Sequence, residues 1–181
     1  GVFSVNTAQK AYNKTNFIFN QSIDKQVVVE PFAQGREFTV IVFQNMKNES
    51  VALIPTEIET SYEDGQIFDF RKKYLPTHGT FYHQPPRFSN FQIRAIQNQA
   101  EKIFNHLGMS DFARLDGWLL DNGNIWFSDI NPLSGLEQNS LYFQQGARVG
   151  FSHQDLLRYV ARNACRRYGL TALIRYLPPN Q

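Results

Sequence analysis

The feature that most constrains the fold of this chain is a pair of β-rich segments flanking a tight turn. The segments cover residues 112–120 and 125–130, and the Asn122-Gly123 step lies between them. Asn-Gly readily adopts the positive φ values that a two-residue hairpin turn needs, so it is a strong hairpin signal. We therefore predict an antiparallel hairpin, and with it part of a β-sheet.

Polar side chains recur on one face of this predicted hairpin. Arg114 and Asp116 alternate along the first strand, and Asp129 and Asn131 alternate along the second. Pairing across the turn can bring the two sets together. Carboxylate and amide oxygens suit Mg²⁺, which takes its other ligands from water and substrate phosphates, and an arginine suits developing negative charge. The pattern favours a catalytic site, with a solvated sheet face as the simpler alternative.

The rest of the chain predicts a mixture of strands and helices. Short β-rich runs predict strands at residues 27–29, 38–43, 51–54 and 67–70. Helical periodicity predicts helices within 7–19, over 93–107 and from 152 to 164. We expect a loop over 77–89 and a frayed tail over 176–181. Strands come in neighbouring groups with helices between them, which indicates an α+β fold with largely antiparallel sheets.

Composition excludes several classes of protein. Of the 181 residues, 42% are hydrophobic and 14% aromatic, which is enough for a core and excludes disorder as the main state. A net charge of +2 is too small to indicate nucleic-acid binding. No apolar run approaches the roughly 20 residues that cross a bilayer, and no signal peptide is visible. We expect a cytoplasmic protein without membrane contact, and a first residue of Gly suggests a piece of something longer.

Three blocks of sequence together resemble the D-alanine–D-alanine ligases of the ATP-grasp superfamily. The C-terminal signature of that family is similar to residues 112–116, 129–135 and 139–141. Its nucleotide-binding segment is similar to residues 29–40, and its loop with a Lys-Tyr pair to residues 67–74. The blocks occur in family order with near-family spacing. The resemblance spans roughly residues 1–169.

The resemblance implies an ATP-grasp architecture, α+β with mostly antiparallel sheets and flanking helices, from which the N-terminal part of the ligase is missing. Residues 1–75 would be part of the small lobe with the nucleotide-binding strands, and residues 76–170 the catalytic and metal-binding lobe. Residues 171–181 would be a C-terminal tail.

The resemblance also assigns residues to ATP. Contacts with the adenine would come from Glu30, Phe32, Ala33, Ile67 and Trp118. Glu37 would accept hydrogen bonds from the ribose, and Lys73 would meet the phosphates. Two of these assignments have alternatives. Trp118 could be an ordinary core residue, and Lys72 rather than Lys73 could be the lysine that meets the phosphates.

The same resemblance assigns the chemistry. Mg²⁺ or Mn²⁺ would be bound by Asp116, Asp129 and Asn131, and the catalytic residues would be Arg114, Gly135, Tyr74 and Ser140. The Gly135 backbone would stabilise the oxyanion, while Ser140 with Leu141 would hold the second substrate's carboxylate; Ser140 could also be a helix N-cap. The chain departs from the family at Asp129, where the family has Glu, and at Leu133-Ser134-Gly135, where it has Ser-Pro-Gly.

The implied activity is ATP-dependent ligation of two amino acids through an acyl phosphate, in peptidoglycan precursor synthesis. D-alanine is the expected small-molecule substrate, and the missing N-terminal part of the same protein is the expected partner; a homodimer is compatible with the sequence. The chain alone is expected to be inactive. An ATP-grasp ligase of another pathway and a non-catalytic nucleotide-binding scaffold are the alternatives.

Overall fold

The computed structural model describes residues 2–60 and 80–174. The strands of this part are β1 (Gly35–Gln44), β2 (Ser50–Ala52), β3 (Thr56–Thr60), β4 (Thr80–His83), β5 (Phe112–Leu120) and β6 (Ile125–Asn131). Its helices are α1 (Ala8–Asn20), α2 (Asn90–His106), α3 (Leu141–Arg148), α4 (His153–Arg167) and α5 (Thr171–Ile174). The predicted α+β class is confirmed.

The strands of the described residues form one sheet in the order β4-β3-β1-β5-β6, with β2 also paired to β1. Strand β1 pairs antiparallel with β2, β3 and β5, and β5 pairs antiparallel with β6. Gly123 has a φ of +84° in the turn between β5 and β6, which is the left-handed conformation that the hairpin needs. The predicted hairpin is therefore confirmed.

Each face of the sheet has its own apolar cluster. Helix α2 covers the first face, where Ile96, Ala100 and Phe104 pack with residues of β1 and β5 that include Val40 and Leu115. Helices α3 and α4 cover one end of the second face, in a cluster of Ile41, Leu53, Phe112, Tyr142, Phe143 and Leu156. Among the described residues, no helix covers the rest of this face, which carries polar residues of β1, β5 and β6: Thr39, Arg114, Asp116, Asp129 and Asn131.

Contacts within the chain divide it into two compact units. The first unit comprises residues 1–34 and 59–81 and contains α1. The second comprises residues 35–58 and 82–181, and it contains β1, the hairpin and helices α2 to α5. Within the described residues, every helix is too short or too polar to span a membrane.

The sequence-based strand predictions fail at four places. Residues 27–29 form no strand, and Val28 is 85% exposed. These β-branched residues pair with no strand among the described residues. Strand β3 was not predicted, and β4 lies within the predicted loop 77–89. Only residues 51 and 52 of the predicted strand 51–54 belong to β2. The strand predicted at 67–70 lies outside the described residues.

Candidate functional site

Strands β5 and β6 bring the four predicted polar residues to one place. In the antiparallel register, Asp116 lies opposite Asp129, and Arg114 lies opposite Asn131. The register shifts between Asp116 and Gly117, which places a bulge directly after the Asp116–Asp129 pair. Bulges reorient side chains at the point where regular pairing ends. All four residues are partly buried, so they share one partly accessible patch of the sheet.

The carboxylate of Asp116 is the centre of this patch. Its Oδ2 accepts hydrogen bonds from Arg114 Nη2 at 3.0 Å and from Asn131 Nδ2 at 3.2 Å. Arg114 Nε donates to Oδ1 and Oδ2 at 3.1 Å and 3.2 Å, which completes a two-pronged contact. Such a pairing fixes both the position and the plane of the carboxylate.

Thr39 of β1 also binds Asp116, and the sequence did not predict it. Its hydroxyl donates to Asp116 Oδ1 at 2.7 Å across the β1–β5 pair. Thr39 is fully buried, and its backbone carbonyl accepts a hydrogen bond from the Gln145 side chain of α3 at 3.0 Å. A threonine within a β-rich run is normal strand composition, so the sequence carried no signal for this role.

The donor set of the patch fits a hard divalent cation. Asp116 and Asp129 supply carboxylate oxygens, and the Asn131 amide nitrogen faces Asp116, which leaves its carbonyl oxygen available for a cation. No group of three or more His, Cys, Asp or Glu side chains in residues 2–60 and 80–174 could hold a metal. A cation here would therefore depend on the Asn131 oxygen, water and substrate phosphate, which is the usual coordination of Mg²⁺.

The acceptor positions of Asp116 are all in use in this structure. Each carboxylate oxygen has about two lone-pair positions. Thr39 and Arg114 donate to Oδ1, and Arg114 and Asn131 donate to Oδ2. A cation that binds Asp116 must therefore displace one donor, and Arg114 is the one that a second positive charge would repel.

The predicted second-substrate residues lie where the loop after β6 meets α3: Ser140 ends the loop, and Leu141 is the first residue of the helix. Ser140 lies at the N-cap position of α3, as the alternative interpretation proposed, but its side chain makes no capping hydrogen bond. Its Oγ is buried without a hydrogen-bond partner among the described residues. A Cβ atom added to Gly135 would lie 2.5 Å from Glu137 Oε2, so the Glu137 carboxylate folds over this glycine.

Tyr82 of β4 is a second residue that the sequence did not indicate. Burial and the nearby Glu37 carboxylate raise the pKa of the Tyr82 hydroxyl, against an opposing effect of Arg114. The Tyr82 hydroxyl is therefore near enough to Glu37, Arg114 and Asp116 to interact with their charges. Tyr82 falls within the stretch predicted as a loop, which is why its strand position could not be predicted.

Only some of the residues predicted to bind the nucleotide lie on the sheet. Glu37 lies opposite Trp118 in the β1–β5 register, and Trp118 is partly buried. Glu30, Phe32 and Ala33 belong to the first unit, where they form no helix or strand, and Phe32 is 71% exposed. Three further predicted residues lie outside the described part of the chain: Ile67, Lys73 and Tyr74.

Comparison with known proteins gives a consistent set of relatives. Residues 1–161 match the family model described as D-ala D-ala ligase C-terminus. A D-alanine–D-alanine ligase of Tolumonas auensis is 28% identical over 92% of this chain and 49% of the relative. One of Flavobacterium psychrophilum is 32% identical over 80% of this chain and 42% of the relative. The chain thus spans about half the length of these curated relatives.

Solved structures share the fold. The D-alanine–D-alanine ligase of Coxiella burnetii aligns with a TM-score of 0.71 and 24% identity, covering 96% of this chain and 44% of that one. The Bacillus anthracis enzyme, in a structure described as complexed with ATP, aligns with a TM-score of 0.70 and 19% identity, covering 92% and 50%. At these identities the likeness shows the fold alone, and it confirms the ATP-grasp architecture.

Proposed function

Because this chain belongs to the D-alanine–D-alanine ligase C-terminal family, we propose that it is the catalytic part of an ATP-dependent carbon–nitrogen ligase. The parent protein would join two amino acids, with D-alanine as the first substrate to test, in the cytoplasmic synthesis of peptidoglycan precursors. The observation that carries the proposal is the cluster in which Asp116 binds Arg114 and Asn131, with Asp129 opposite it. A sheet needs no such cluster for its stability.

The reaction would begin with transfer of a phosphoryl group from ATP to a substrate carboxylate. Asp116, Asp129 and the Asn131 oxygen would hold Mg²⁺ or Mn²⁺, which supplies charge neutralisation to the phosphates when it is bound. When the cation binds Asp116, the Arg114 side chain would leave that carboxylate and bind the phosphoryl oxygens instead. Catalysis of this kind depends mainly on position and charge, because phosphoryl transfer needs few covalent partners from the protein.

An amine would then attack the acyl phosphate, and phosphate would leave from a tetrahedral intermediate. Gly135 would donate its backbone N–H to the oxyanion of that intermediate. The unpartnered Ser140 hydroxyl, at the start of α3, would bind the carboxylate of the second substrate together with Leu141. Tyr74 and Lys73 would approach the substrates and phosphates from their loop.

The nucleotide would lie along β1 and β5. Glu37 and Trp118 are opposite each other in the register and would contact the ribose and the adenine ring. Glu30, Phe32 and Ala33 would bind the adenine edge, and Ile67 would pack on the ring. ATP as the nucleotide is supported by the bound ATP in the Bacillus anthracis relative's structure. The missing N-terminal part of the protein would complete the site, and a homodimer is its proposed assembly.

A thermal melt of the chain with ATP and Mg²⁺ tests this proposal. A ligand that binds only the folded state at 100 times its dissociation constant stabilises it by about 2.7 kcal/mol. We expect ATP to raise the Tm more with Mg²⁺ than with EDTA, and Asp129→Ala to abolish that difference. Asp121→Ala, an exposed carboxylate of the hairpin turn, is the matched control and should keep it.

The same measurement separates the alternatives. An ATP-dependent rise that is equal with Mg²⁺ and with EDTA would support a nucleotide-binding scaffold and contradict the ligase. The chain alone should release no phosphate from ATP when D-alanine is present. Turnover comparable to that of an intact ligase would refute the need for the N-terminal part.

A further inference from the structure

A buried hydrogen-bond network connects α3 to the back of the Asp116 carboxylate. Gln145 is 1% exposed, and its Oε1 accepts the Ile41 N–H at 3.0 Å. Its Nε2 donates to the Thr39 carbonyl at 3.0 Å and to Thr56 Oγ1 at 3.1 Å. The side chain of one glutamine thus fixes two backbone groups of β1 and a hydroxyl of β3.

These bonds fall at the point of β1 where Thr39 reaches the Asp116 carboxylate. Gln145 binds the peptide groups on both sides of residue 40: it donates to the carbonyl of Thr39 and accepts from the N–H of Ile41. The hydroxyl of that same Thr39 binds Asp116 Oδ1 at 2.7 Å. A rotation of the Thr39 backbone would therefore move one of the donors that orient Asp116, and one that would stay in place if a cation displaced Arg114.

We propose that Gln145 is a positioning residue which acts through Thr39 to hold the Asp116 carboxylate in the orientation that binds a divalent cation. The inference rests on the proposed function, because it requires Asp116 to be a cation ligand. Groups that orient a ligand through its other oxygen commonly change metal affinity by about 10-fold to 100-fold when they are removed. Because Gln145 lies on α3, the same hydrogen bonds also fix this helix against β1.

Mn²⁺ affinity of the full chain, measured by electron paramagnetic resonance, tests the proposal without any need for turnover. We expect Thr39→Val to weaken Mn²⁺ binding about 10-fold and Gln145→Met to weaken it several-fold. The double variant should bind no more weakly than Thr39→Val, because both changes interrupt one path. Thr39→Ser keeps the hydroxyl and should restore affinity to nearly that of the unaltered chain.

The matched control is Gln97→Met. Gln97 also ties a helix to the sheet by donating to backbone carbonyls, those of Ala52 at 2.9 Å and Leu53 at 3.2 Å, but it does so from α2. Urea unfolding in EDTA should show a loss of stability for both Gln97→Met and Gln145→Met. Only the latter should change the Mn²⁺ dissociation constant.

The outcomes separate this inference from the proposed function. If the unaltered chain does not bind Mn²⁺, both fail. If it binds Mn²⁺ but Thr39→Val or Gln145→Met binds equally or more tightly, the positioning role is wrong and the cation site stands. If Gln145→Met does not fold, Gln145→Glu takes its place, because it keeps the acceptor for Ile41 N–H; should that fail as well, the contrast between Thr39→Val and Thr39→Ser decides.

Discussion

The ion pair between Glu57 and Arg87 should stabilise the sheet in a way that depends on pH. Glu57 of β3 has a side chain that is only 1% exposed, and its carboxylate accepts the Arg87 backbone N–H at 2.7 Å and Arg87 Nη2 at 2.8 Å. Arg36 Nη1 lies 3.8 Å from Glu57 Oε1. We predict that Glu57→Gln, which keeps the size of the side chain and removes its charge, destabilises the fold.

The structure sets the magnitude of this effect. A hydrogen bond to a charged group contributes about 1.5–3 kcal/mol to stability. Arg87 is 51% exposed, and solvent screening reduces its share. Glutamine can still accept the Arg87 backbone N–H, but it cannot accept from the guanidinium at both oxygens. We therefore expect Glu57→Gln to lower the free energy of unfolding by about 2 kcal/mol at neutral pH.

The pH dependence follows from the pKa of Glu57. Burial raises this pKa, but the hydrogen bonds and charge of Arg87, with the charge of Arg36, outweigh burial and hold it below the ordinary value of 4.5. A carboxyl whose folded-state pKa is depressed stabilises the fold fully above its unfolded pKa, and this contribution is lost as the pH falls through the folded-state pKa. The difference between the unaltered chain and Glu57→Gln should therefore shrink in acid.

Urea unfolding at several pH values between 7 and 3 measures this difference directly. Glu49→Gln is the control, since Glu49 is an exposed carboxylate whose hydrogen bonds are local to the turn after β1. Its effect should be small at every pH. A destabilisation by Glu57→Gln that stays constant from pH 7 to pH 3 would refute the argument, because it would mean that the ionised carboxylate is not the stabilising group.

Two further substitutions test the hairpin and the helix ends. Gly117→Ala should cost about 1–3 kcal/mol in urea unfolding, because the new methyl group would overlap the Trp126 backbone carbonyl of the neighbouring strand. Ser152→Ala should cost about 1 kcal/mol, because Ser152 accepts the Asp155 N–H in a capping box. Ser140→Ala at the start of α3 should leave the Tm unchanged, since the Ser140 hydroxyl makes no capping bond; an equal loss in both serine variants would contradict this difference.

The hairpin and its polar residues could be predicted because their information is local. Alternation fixes which residues share a face, and the Asn122-Gly123 step fixes where the chain reverses. The specific pairs Asp116–Asp129 and Arg114–Asn131 also depend on the register shift after Asp116, in which Ser128 is the extra residue, and the sequence did not predict that shift. The role of these residues in binding a cation stays a prediction.

The strands β3 and β4 could not be predicted in the same way. Strand β3 has alternating Thr and Glu around Ile58, and its burial comes from pairing with β1 rather than from its own composition. Residues 27–29 show the converse, because three valines in a row have high β propensity but form no strand. Strand formation depends on a neighbour, and propensity alone does not supply one.

The residues behind the site were missed because they are distant in sequence. Gln145 is 104 residues from Ile41 and 106 from Thr39 in the two backbone hydrogen bonds that it makes to β1. A glutamine on a helix is ordinarily exposed, and nothing in the local sequence distinguishes Gln145 from Gln144. Only the packing of α3 on the sheet reveals which of the two is buried.

Two neighbouring residues of strand β1, Thr39 and Val40, separate the chemistry of the site from the stability of the core. Val40 and Val42 are fully buried in the cluster under α2, whereas Thr39 points toward Asp116 on the other face. Because the side chains alternate, a change at Val40 removes apolar contacts in the core and leaves the donor to Asp116 in place. A change of Thr39 to Val keeps nearly the same volume and removes that donor. Loss of cation affinity without loss of fold is therefore expected from Thr39, and the reverse from Val40→Ala.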